Sequence, residues 1–163
     1  MDHTELKEHV LYALDMLYAR DAGLLEQDVG EWSIAHRLAV YLEQRLPSWN
    51  VDCEYNRQGP EQDKKKSAGG AAVRPDIIVH HRGRVEREHN LLAVELKKAE
   101  AASDRPKARE YTAAPKGDRK FQYQYGLVVS VVPVPQLTWF ANGVQISYQG
   151  HEPDDRRCAS PTG

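Results

Sequence analysis

Apolar residues at Leu6, Val10, Leu14 and Leu17, with Leu11 and Tyr18 widening the stripe, recur at helical spacing and predict a helix over about residues 4–19. Ile34, Ala35, Leu38 and Leu42 predict a second helix over about 29–46, which Pro47 ends. The period then changes to two. Val51, Cys53 and Tyr55 alternate with polar neighbours, predicting a strand from about Asn50 to Asn56. Asp76 opens the β-branched run Ile77-Ile78-Val79-His80, and Leu91-Leu92-Ala93-Val94-Glu95-Leu96-Lys97 is a second apolar run, joined to the first by Arg82 to Asn90 with Gly83 inside it. A helix over about 103–112 follows, with Ser103 or Asp104 as its cap. The continuous run Tyr125 to Val132 predicts a strand in the middle of a sheet, ended by Pro133 and Pro135. Leu137 to Ala141 and Val144 to Tyr148 flank Asn142-Gly143 and predict a hairpin. Between the first strand and Asp76, residues 58–73 read as a mobile loop with Lys64-Lys65-Lys66 and Gly69-Gly70, and residues 151–163 read as a disordered polar tail.

This element order is α/β, and 163 residues fit one domain, taken as 1–150, large enough to bury a core without disulfides. Cys53 and Cys158 stand in dissimilar contexts and read as unpaired thiols. No apolar stretch has the length of a membrane span, and Met1-Asp2-His3-Thr4-Glu5 is too polar for a secretory signal, so the expected compartment is the cytoplasm, with no membrane partner. Net charge is −2, but it is unevenly spread: residues 57–120 carry 16 Lys/Arg against 10 Asp/Glu, whereas residues 1–56 carry 4 against 11. A local cationic surplus is what a phosphate backbone requires, whatever the whole chain's sign.

The chemistry-bearing residues lie in that basic segment. Asp76 begins one predicted strand, and Glu95 and Lys97, two apart, share a face of the next while Leu96 points to the other. Charged residues beside such apolar runs are costly unless paired or metal-bound. Glu31 follows Asp28 by three, as in a capping box, yet at 100° per residue it falls on the side of Ile34, Ala35 and Leu38 and so is expected to face the core. His36, about one turn on, is placed to brace Glu31 or touch phosphate. Phosphate-loop, nucleophile-elbow, Cys-x-x-Cys and His-Glu-x-x-His patterns are absent, and the seven histidines have no zinc-ligand spacing.

Pro75-Asp76 followed by Glu95-Leu96-Lys97, with Glu31 upstream, resembles the PD-(D/E)xK nuclease superfamily. Residues 31–38 and 53–57 ahead of the site are also similar to stand-alone, mostly uncharacterised bacterial members. The resemblance implies a restriction endonuclease-like αβββαβ core over about residues 29–132, with a mixed central sheet, an extra N-terminal helix and a C-terminal hairpin. It implies that Asp76, Glu95, the Leu96 carbonyl and Glu31 hold Mg²⁺ or Mn²⁺, hard ions that take oxygen ligands. Lys97 would orient the attacking water or offset phosphate charge. The implied activity is a deoxyribonuclease, endonuclease ahead of exonuclease; RNA is left open by the motif. Arg74, Lys98, Lys107, His36 and Lys64, Lys65 and Lys66 are the candidate nucleic-acid contacts. With no recognisable targeting motif, site specificity would come from loops, a homodimeric second copy or a protein partner. The rival expectation is a catalytically inactive module of the same fold that binds nucleic acid or protein.

Overall fold

The structure is a computed structural model that describes residues 1–27, 29–61, 63–99 and 104–146. Helix α1 (His3–Arg20) is capped by Asp2, whose carboxylate accepts from the Glu5 N–H at 2.9 Å. A short α2 (Ala22–Glu26) follows, which the apolar pattern did not announce, and then α3 (Glu31–Arg45). The strands are β1 (Asn50–Cys53), β2 (Arg57–Gln58), β3 (Asp63–Lys64), β4 (Ile77–His80), β5 (Asn90–Lys97), β6 (Tyr125–Ser130), β7 (Gln136–Ala141) and β8 (Val144–Gln145), with α4 (Arg105–Thr112) between β5 and β6.

The main sheet has six strands in the order β1-β4-β5-β6-β7-β8. It is mixed: β4 runs antiparallel to β5, β5 and β6 are parallel, and every other pair is antiparallel. A parallel pair needs a crossover, and α4 supplies it. Alternation along the strands separates two layers. Ile77, Val79, Leu92, Val94, Leu96, Leu127 and Val129 pack with Leu6, Val10, Leu14, Leu17, Ile34, Leu38 and Leu42 of α1 and α3. Ile78 and Ala93 point the other way, toward Tyr111 of α4 and toward Phe121 and Tyr123. Burying each large side chain of the first layer contributes roughly 1.5–3 kcal/mol. Helix α4 lies close on β6 because Gly126 is bare: a Cβ there would sit 2.6 Å from the Ala108 carbonyl oxygen. The β7–β8 turn holds Asn142 and Gly143 at φ 50° and 75°, the left-handed pair that a two-residue hairpin requires.

Several boundaries differ from the sequence pattern. The first strand stops at Cys53, because Glu54 takes φ 49° and turns the chain, and this leaves Cys53 exposed. Residues 58–73 are organised in part rather than a plain loop: β2 pairs with β3, Lys66 bridges to Ala72, and Lys65 is 1% exposed. The α3 cap is Gly30, with no side-chain cap bond, and Asp28 lies outside the described residues. Ser103, Cys158, the 147–148 end of the hairpin and the 151–163 tail also lie outside them. Among the described residues no helix is long and apolar enough to cross a membrane.

Candidate functional site

The antiparallel register places Ile77 opposite Val94, so Asp76, one residue before β4, lies beside the carboxyl-terminal end of β5. Its Oδ2 accepts the Leu96 N–H at 2.7 Å. The N–H and C=O of one strand residue leave from the same edge, so the Leu96 carbonyl also points to Asp76's side, where the next residue in register, Pro75, has no N–H to offer it. Glu95 and Lys97 point to the α4 face, as the two-residue period requires. Glu95 is 3% exposed; its Oε1 accepts from the Tyr111 hydroxyl at 2.6 Å and its Oε2 from Lys107 Nζ at 3.3 Å.

Glu31, the first residue of α3, reaches the same end of the sheet. It accepts from Lys97 Nζ at 2.8 Å and from the Lys98 N–H at 3.2 Å. The core-facing expectation for Glu31 is therefore corrected: its side chain is 41% exposed and turned to the ends of β5. A glutamate at the first helical position has no preceding turn to pack under, so it extends past the helix toward the nearest cation. Asp104, 3% exposed, completes the cluster, with Oδ1 at 2.6 Å from Lys107 Nζ and Oδ2 at 3.5 Å from Lys97 Nζ. The order is thus Glu31, Lys97, Asp104, Lys107, Glu95, with Asp76 alongside. Fully ionised, four carboxylates face two ammoniums, a surplus of two negative charges.

The titration of its members divides: despite its burial, Asp104 is held below its ordinary value by Lys107 and Lys97, whereas Asp76 and Glu95 lie above theirs. Burial pushes the Asp76 carboxyl above its ordinary value, with Glu31 adding to the rise; the Leu96 N–H and the charges of Lys97 and Lys107 only partly offset it. Burial also raises Glu95, and Asp76 adds to it, against the Tyr111 bond and Lys107. Lys97 is held above its usual range by its bond to Glu31, and Lys107 by its bond to Asp104. Burial and the Glu95 charge push the Tyr111 phenol up, so it remains a donor.

The other residues singled out in the sequence divide. Lys107 belongs to the cluster. Arg74 is exposed and 3.4 Å from Glu54, and together with Lys107, Tyr111, Asn56, Ser67 and Val73 it lines a cleft of about 460 Å³ beside Glu95. Lys98 Nζ donates to the Gln27 carbonyl at 2.7 Å. Lys64 and Lys66 are exposed. Lys65 is corrected from a phosphate contact to a structural residue: its Nζ donates to the carbonyls of Tyr55 at 3.0 Å and Arg57 at 2.6 Å, and burial lowers it to about 8. A buried ammonium must find acceptors, and the backbone of the β1–β2 turn supplies them. His36 is exposed on α3, apart from the groups that touch Glu31 among the described residues. Asp104 reads from sequence only as a helix cap, and Tyr111 is not singled out there. The signal for both is the spacing 104, 107, 111, which stacks them with Lys107 on one face of α4.

Among the described residues no three acidic, imidazole or thiol groups converge as a metal-holding cluster, because Glu31 and Glu95 are turned to lysines. The donor set nevertheless fits a hard divalent cation: Asp76 and Glu95 are oxygen donors held as a repelling pair, the Leu96 carbonyl shares their side, and the surplus of two negative charges equals the charge of such an ion. Comparison with protein-family models, curated proteins and solved structures returns no match.

Proposed function

We propose that this chain is a metal-dependent nuclease that hydrolyses phosphodiester bonds of DNA on a restriction endonuclease-like fold, a member of the PD-(D/E)xK superfamily. The observation that carries the reading is the anionic surplus at the carboxyl-terminal end of the parallel pair β5/β6, centred on Asp76 and Glu95. The chain order α3, β1, β4, β5, α4, β6 with a mixed sheet supports the fold assignment. Asp76, Glu95 and the Leu96 carbonyl would hold Mg²⁺ or Mn²⁺, with Glu31 as a further carboxylate. Such an ion supplies Lewis acidity toward the phosphate and lowers the pKa of a bound water.

The chain's own groups then have separable tasks. Lys97, kept protonated by Glu31, is a donor rather than a base: it orients the attacking water or offsets charge developing on the phosphate. Asp104 positions both lysines from one carboxylate. Tyr111 fixes the rotamer of Glu95 through a 2.6 Å bond. Lys107 and Arg74, on the neighbouring cleft, bring positive charge to a backbone without reading bases.

The rival, an inactive binding module, draws support from the bonds that Lys97 and Lys107 already make to Glu31 and Glu95, which neutralise much of the site without an ion. Cleavage of supercoiled, linear and single-stranded DNA, and of RNA, with Mg²⁺, Mn²⁺ or chelator separates the two. Metal-dependent cutting lost in Asp76→Ala and Lys97→Ala is the expected result. Binding without cutting, indifferent to metal and to both substitutions, would establish the module instead.

A further inference from the structure

Helix α4 has a second cleft on its other side. Lys107 and Tyr111 face the carboxylate cluster, whereas Arg105 and Arg109, one turn apart and about half a revolution away, line a separate cavity of about 810 Å³ against the β7–β8 hairpin. Its lining joins an apolar part, Pro106, Phe140 and Val144, to a basic part, Arg105, Arg109, Lys116 and Arg119. Arg109, Lys116 and Arg119 against Glu110, the one acid among the described lining residues, leave a surplus of two positive charges before Arg105 is counted.

Two of these cations are fixed in place by the protein. Arg119 is 4% exposed; one terminal nitrogen pairs with Glu110 at 3.3 Å and the other donates to the carbonyls of Ala113 and Ala114. Its Nε is buried and has no acceptor among the described residues. Arg109 Nε donates to the Gly143 carbonyl at 2.6 Å, which ties that guanidinium to the hairpin turn. Glu110 is itself committed, accepting from the Ala68 N–H at 2.9 Å as well as from Arg119. Guanidiniums fixed by the protein's own backbone, beside an exposed lysine and an apolar lining, suit an oxyanion attached to an apolar body.

We infer that this cleft is a binding site for a nucleotide, with the ring against the apolar lining of Phe140, Pro106 and Val144 and the phosphate against the basic lining of Arg109, Lys116 and Arg119. A phosphate monoester carries about −1.5 to −2 near neutral pH, which matches the positive surplus better than a single carboxylate does. The volume is that of a small-molecule cavity, typically about 300–1,000 Å³, rather than of a peptide groove. The same chemistry has two sources, a free mononucleotide or the phosphorylated end of a strand. The site stands apart from the carboxylate cluster and does not depend on that cluster being a nuclease.

The test is calorimetric titration of the full chain, in chelator, with adenosine 5′-monophosphate, with adenosine and inorganic phosphate as its halves, and with an oligonucleotide bearing a 5′-phosphate or a 5′-hydroxyl. Saturable binding of the monophosphate, about tenfold or more tighter than either half, is expected. Lys116→Glu and Val144→Asp, both at exposed positions, should weaken it about tenfold or more, and Asp76→Ala should leave it unchanged. A tighter fit of the 5′-phosphorylated than of the 5′-hydroxyl oligonucleotide assigns the strand end as the source; equal or absent oligonucleotide binding beside monophosphate binding assigns the free nucleotide. The inference is overturned if neither ligand saturates, if both substitutions leave the affinity unchanged, or if Asp76→Ala abolishes binding and so moves the nucleotide to the carboxylate cluster.

Discussion

Strand β4 carries an acidic cluster at its start and another polar cluster at its end, both on the α4 side of the sheet, with Ile78 between them. At the far end, Asp52 of β1 accepts from Arg82 through both oxygens, at 2.8 and 2.6 Å, and from His80 Nε2 at 2.8 Å. A carboxylate cannot donate, so the His80 ring nitrogen carries the proton. Burial pushes the Asp52 carboxyl up, but the bonds from Arg82 and His80 outweigh it and hold Asp52 below its ordinary value. His80 is 2% exposed and lowered by burial, which keeps it neutral. At the Asp76 end the balance goes the other way: the cations are fewer than the carboxylates, and burial raises both Asp76 and Glu95. One cluster is balanced within the chain; the other has more carboxylates than ammoniums, which is the difference that the proposed metal site requires.

The largest separation between the two ends is expected in catalysis. Asp76→Ala or Lys97→Ala should lower metal-dependent cleavage on the order of 10²- to 10³-fold or more, read from initial rates on plasmid DNA. Asp52→Ala should leave the rate per folded molecule unchanged while lowering the unfolding free energy by roughly 1.5–3 kcal/mol, because Arg82 and His80 lose their acceptor. A loss of activity in Asp52→Ala with unchanged stability would erase the distinction. Gly126→Ala tests the Asp76 end without touching a carboxylate. Its added methyl meets the Ala108 carbonyl and must push α4, with Asp104, Lys107 and Tyr111, away from β5. Overpacking of this kind costs about 1–3 kcal/mol, and the metal concentration required for cleavage should rise with it.

The difference between the clusters also governs how much of each was legible. Asp76, Glu95 and Lys97 were readable because period-two strands and their register bring them to one sheet end, and the mixed sheet follows from a helix between two apolar runs. Lys65 was not readable: a lysine run normally signals solvent, and its burial depends on the local path that aims the Tyr55 and Arg57 carbonyls at one point. Glu31 was half readable. Helical angle gave its side of α3, but not that a first-turn residue extends past the helix end to Lys97. Asp104 and Tyr111 needed the packing of α4 on Gly126 before their shared face had a partner.

The smallest effect, and the most diagnostic, is in the pH dependence of stability. Asp52 has a folded-state pKa below its unfolded value, so its contribution is present above the ordinary carboxyl range and is lost as pH falls through the lowered value. His80, lowered from 6.5, has the same sign: its contribution is lost as pH falls through the ordinary histidine range, where the unfolded chain binds the proton first. Asp76 and Glu95 are raised from 3.8 and 4.5, so the folded chain holds their protons longer, and their contribution is lost as pH rises from those values through the raised ones. The wild-type curve is therefore a partial cancellation, and each variant exposes one component. Denaturant unfolding of Asp52→Ala should show stability falling as pH rises from about 4, below the range where the remaining His80 component acts, whereas Asp76→Asn should remove part of that fall and be no less stable than wild type at neutral pH. Adding Mg²⁺ to wild type at neutral pH should stabilise it, because the ion supplies the charge that protons otherwise provide, and should do little for Asp76→Asn. Equal stabilisation of both proteins by Mg²⁺, or an Asp76→Asn variant less stable than wild type at neutral pH, would mean that the carboxylate surplus is already balanced within the chain and that the two ends of β4 are structural networks of the same kind.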